Sequence, residues 1–78
     1  MNLSAATTIL ARLKAAFPVM ALDEEQSEVL LREVGLLHDP SILDEAVSNL
    51  IKHEEKFPPI ARIRSAYRTV NELRTVNR

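Results

Sequence analysis

A chain of 78 residues makes one domain at most. A domain of that size buries only about 60–65% of the surface its unfolded form exposes, which excludes a cofactor domain set beside a substrate domain. The absence of Cys and the single Gly (Gly35) remove disulfides, thiolate metal ligands and Cys nucleophiles, and leave glycine-rich phosphate loops and sheets poorly supported. Reducing, intracellular conditions fit a chain without Cys.

The net charge of −1 is unevenly divided. Residues 1–55 carry Arg12, Lys14, Arg32 and Lys52 against ten carboxylates, a balance of −6. Residues 56–78 carry Lys56, Arg62, Arg64, Arg68, Arg74 and Arg78 against Glu72 alone, a balance of +5. Such a split suggests an acidic partner or nucleic acid at the basic end. The alternative is that these cations complement the negative C-terminal end of a helix dipole.

The first helix starts after Asn2 or Ser4, either of which can cap free amides, and runs to about Phe17. Leu3, Ala6, Leu10, Leu13 and Phe17 repeat every three or four residues, with Ile9 and Ala16 widening the stripe. Arg12 and Lys14 break any signal-peptide apolar run, and no segment approaches the ~20 apolar residues of a membrane span. Pro18 stops the helix, since it lacks an N–H and disfavours helical geometry at Phe17. Residues 18–22 form the connector.

The second helix begins after Asp23, whose carboxylate can accept from first-turn amides while Gln26 bonds back in a capping box. Glu24 and Glu25 suit the positive end of its dipole. Leu30, Val34 and Leu37 form the buried line with Leu31 beside it, and Gly35 weakens the last turn by about 1 kcal/mol relative to Ala. In His38-Asp39-Pro40, Asp39 is placed to cap and Pro40 to occupy the first helical position. The third helix then carries Leu43, Ala46, Val47 and Leu50 inward, flanked by Ile42 and Ile51.

The stretch Lys56-Phe-Pro-Pro-Ile-Ala-Arg-Ile-Arg-Ser-Ala-Tyr67 forms the last join. Pro58 forces Phe57 to be extended and Pro59 does the same to Pro58, so the chain bends there. Phe57, Pro58 and Pro59 thus form a structural elbow, with Pro59 opening the fourth helix. Ile60, Ile63, Tyr67 and Val70 mark that helix's inner side, with Ala66 and Leu73 adjoining. Arg64, Arg68 and Thr75 fall on a neighbouring stripe and Arg62 on the opposite flank. Connectors of three to six residues fit a compact bundle.

These readings predict an all-α protein, a single helical domain over residues 1–78. It is a compact bundle of four short helices at about 4–17, 24–37, 40–54 and 59–74, with a Pro-Pro elbow before the last and a frayed end at 75–78.

No catalytic, cofactor or metal site is expected. His38 and His53 lack a second His at helical spacing or a Cys partner. The acid pairs Glu24/Glu25, Asp44/Glu45 and Glu54/Glu55 diverge by about 100° on a helix, whereas acid–base chemistry needs convergence in a shielded pocket. No Ser or Thr has an activating arrangement. The candidate partner-binding residues are Arg64, Arg68, Arg74 and Arg78. Arg64 and Arg68, one turn apart, can straddle phosphates, but a Pro-Pro turn and a slightly acidic chain argue against a phosphate-driven reader. A small helical DNA-binding or regulatory protein using the basic last helix is the alternative function.

Four features, in order, carry a family resemblance: Ala16-Phe17-Pro18 closing the first helix, the acidic start Asp23-Glu24-Glu25, Ala46-Val47 in the third helix, and Lys56-Phe57-Pro58-Pro59-Ile60-Ala61 leading into Ile63 and Tyr67. Over roughly residues 5–67 the sequence resembles the N-terminal domain of the phage replicative-helicase loader/inhibitor family. The resemblance implies a compact all-helical domain and no catalysis of its own, in an adaptor of the bacterial host's cytoplasm; the expected state is a monomer or small homo-oligomer, with no cofactor. Such proteins hold a hexameric replicative helicase, restrain it, and deliver it to an origin-bound initiator. Family members carry a longer C-terminal segment to which helicase contact is attributed, whereas this sequence ends at Arg78. That departure bears against helicase contact by these residues and leaves the folded part to serve the initiator or another partner.

Overall fold

The computed structural model describes residues 2–17 and 23–76, so the expected 18–22 connector and Arg78 lie outside the described residues. Four helices follow in order: α1 (Leu3–Ala16), α2 (Glu24–Gly35), α3 (Pro40–His53) and α4 (Ile60–Val76). No strand occurs among the described residues. The protein is an all-α bundle.

Each of the first three helices starts on a side-chain cap. The Asn2 Oδ1 accepts the Ala5 N–H at 2.8 Å, which makes Asn2 the cap of α1. At α2 the capping box is reciprocal: the Gln26 N–H donates to Asp23 Oδ1 at 2.7 Å, and the Asp23 N–H donates to Gln26 Oε1 at 3.2 Å. Asp39 Oδ1 accepts from the N–H of Ser41 at 2.9 Å and of Ile42 at 3.4 Å, with Pro40 as the first residue of α3. Caps of this kind contribute about 1 kcal/mol each by satisfying amides that have no partner within the helix.

The fourth helix departs from expectation at both ends. Pro59 does not open it; its carbonyl accepts from Arg62 at 2.9 Å and Ile63 at 3.2 Å, so Pro59 is the capping residue and Ile60 the first helical one. Of the frayed end expected at 75–78, residues 75 and 76 are helical, and 77–78 lie outside the described residues. The Thr75 hydroxyl donates to the Asn71 carbonyl at 2.8 Å, and Arg74 is tied to α3, which together hold the last turn. The second helix is shorter than expected. It ends at Gly35, after which the N–H groups of Leu36 and Leu37 turn to Glu33 and Val34 in the tighter three-residue spacing.

The helices close a ring in which α1 packs on α2 and α3, and α4 packs on α2 and α3. Lys14 Nζ donates to Ser27 Oγ at 3.1 Å near one end of the α1–α2 pair, while Leu3 and Leu36 line a shared groove at the other. Those two helices therefore run antiparallel. So do α3 and α4, since Arg62 meets Glu54 and Arg74 meets Ser41. Leu13, Leu43, Val47, Leu50 and Ile63 are the largest fully buried side chains, and α3 supplies three of them. A second small cluster gathers Ile42, Ala46 and Val70 beneath Ala66 and Tyr67. Three positions of the expected stripes lie outside the core: Leu3 is 68% and Leu73 58% exposed, and Ala16 at the end of α1 is exposed as well.

At the elbow, Phe57 and Pro58 are buried and Pro59 is exposed. The Phe57 ring meets Phe17 edge-on, with centroids 6.1 Å apart at 69°. This geometry matches the quadrupole preference of aromatic pairs and joins the end of α1 to the start of α4. Among the described residues, no helix is long and apolar enough to cross a membrane.

Candidate partner-binding surface

The arginines of α4 are distributed by the helical repeat toward different neighbours. The Arg64 guanidinium forms an ion pair with Glu33 of α2. Arg62, on the opposite flank, donates through Nε to Glu54 at the end of α3, at 2.7 Å. Arg74 reaches the beginning of α3, where Nε donates to Glu45 Oε2 at 3.2 Å. Its two terminal nitrogens donate to Ser41 Oγ at 3.1 Å and the Ser41 carbonyl at 3.4 Å. Arg68 is exposed and makes no ion pair among the described residues.

The expected arginine edge is therefore only partly assembled. Arg64 and Arg68 stay one turn apart, while Arg74 turns toward α3 and Arg78 lies outside the described residues. Sequence spacing counted these cations against Glu72 alone. Their carboxylate partners are 31 residues away for Arg64 and 29 for Arg74, a separation that no helical spacing rule joins. These pairs are partly open to solvent and contribute at most about 1 kcal/mol each, so they orient α4 more than they hold it. They also offset positive charge that a phosphate backbone would need.

A groove that sequence reasoning missed lies between α2 and the elbow. Val29, Leu30, Phe57, Pro58 and Ile60 contribute its apolar surface, and Asp23, Glu25 and Glu33 its carboxylates, around a volume of about 690 Å³. Val29 is 56% exposed although apolar. Glu25, Val29 and Glu33 are each four residues apart and share one helix face. That apolar interruption of an acidic stripe was the available signal; the opposite wall depends on tertiary structure.

His38 and His53 are exposed. Among the described residues, no group of three or more His, Asp or Glu side chains is placed to hold a metal ion. No polar or charged residue among them is buried. No protein-family model, curated protein or solved structure matches the chain.

Proposed function

We propose that this chain is a non-enzymatic adaptor of phage DNA replication, which binds and restrains a hexameric replicative helicase, links it to an origin-bound initiator, or does both. The choice of partner is supported by the sequence resemblance, whose most specific stretch is Lys56–Ala61. In the fold, that stretch spans the elbow: Phe57 packs on Phe17, and Pro58 and Pro59 set the entry into α4. The observation that carries a protein-binding role is the exposed Arg68 beside the Arg64–Glu33 pair, on a helix held by contacts with both α2 and α3. A cation on a fixed helix meets an acidic partner with little ordering cost.

Arg68→Glu tests this reading against helicase and initiator separately. We expect a weaker complex with one of them and an unchanged circular dichroism spectrum. Undiminished binding to both would remove Arg68 from the interface. Titration with duplex DNA over a range of salt concentrations addresses the alternative role. Steep, sequence-independent loss of binding with salt would favour a DNA-binding protein.

A further inference from the structure

We infer that the groove between α2 and the Pro-Pro elbow is a docking site for a basic amphipathic peptide segment of a partner protein. This surface is separate from the arginine edge, and the inference holds whichever protein carries the segment. The apolar surface is composed of Val29, Leu30, Phe57, Pro58 and Ile60, and a volume of about 690 Å³ admits apolar side chains from an incoming segment. Val29, more than half exposed, is a contact residue rather than a core one. Among the described residues, every charged one lining the groove is a carboxylate: Asp23, Glu25 and Glu33.

The three carboxylates are differently engaged. Glu33 is shared with Arg64, and Asp23 uses one oxygen to cap α2. Glu25 makes no ion pair among the described residues. An incoming Lys or Arg beside an apolar anchor satisfies both kinds of surface, whereas an acidic segment meets like charge. Both walls are preorganised, one by the reciprocal Asp23–Gln26 cap and the other by consecutive prolines with Phe57 buried beside them. Binding then requires little ordering of the receptor.

The test is an NMR titration of the chain with a short synthetic amphipathic helix of leucine and lysine, and with its leucine–glutamate counterpart. The lysine helix is expected to shift the methyl signals of Val29, Leu30 and Ile60, and the glutamate helix to leave them in place. Val29→Ser and Glu25→Lys, both at exposed positions, should each weaken binding about fivefold. Asn71→Ala, at an exposed position in the last turns of α4, should leave it unchanged. Equal response to both helices, shifts centred on another face, or unaltered affinity in both groove variants would overturn the assignment. Groove signals that move with concentration of the chain alone would also overturn it, by making a second copy the occupant.

Discussion

The phenolic oxygen of Tyr67 accepts the backbone N–H of Asp39 at 3.0 Å. The same Asp39 caps α3 through its carboxylate, so one residue ties the beginning of α3 to the middle of α4. Tyr67→Phe keeps the ring and removes the acceptor from a part-buried amide. The expected cost is about 0.5–1.5 kcal/mol, read by urea denaturation. An unchanged midpoint would mean that water replaces the phenol without loss.

Replacing the caps separates local from tertiary effects. Asp23→Ala and Asp39→Ala should each destabilise the fold by about 1 kcal/mol. Asp39→Ala keeps the amide that donates to Tyr67 but releases the capped turn that holds that amide in place, so the Tyr67 ring signals should also move. Asp23→Ala should leave those signals in place.

Core truncation should follow burial rather than sequence hydrophobicity. Leu50, 2% exposed, and Leu73, 58% exposed, both belong to apolar helical stripes. Leu50→Ala is expected to cost about 2–5 kcal/mol, and Leu73→Ala to stay within about 0.5 kcal/mol of the parent. Comparable losses at both sites would contradict the placement of Leu73 outside the core.

The arginines should divide in the same way. Arg64→Glu faces Glu33 with like charge and should lower stability by up to about 1 kcal/mol, an effect reduced by salt. Arg68→Glu has no such neighbour among the ion pairs described and should be silent in stability. Arg68→Glu is therefore the cleaner probe of binding, since loss of association in the Arg64 variant includes displacement of α4 from α2.

Capping chemistry and apolar periodicity were legible because they are local. Asp23 with Gln26, and Asp39 with Pro40, announce the starts of α2 and α3, and the structure places bonds at both. The stripe through Leu43, Ala46, Val47 and Leu50 identifies the buried face of α3. A stripe gives the direction of burial but not the reach of the neighbouring helix. Leu73 lies one turn beyond Val70, past the end of the small cluster formed with Ile42 and Ala46. The same limitation hid the Arg64–Glu33 and Arg74–Glu45 pairs, whose members meet only after the helices pack. It hid the groove as well, since Val29 and Ile60 belong to opposite walls.

Size-exclusion chromatography with light scattering decides whether the chain forms a complex with its proposed partners. The chain is run alone and mixed, in the presence of ATP, with the hexameric replicative helicase that the proposed function assigns to it as partner. The adaptor account predicts a stable co-complex with the mass of the hexamer plus bound chains, weakened by Arg68→Glu if α4 is the contact. Separate elution from the helicase, and from the initiator tested in the same way, would contradict it.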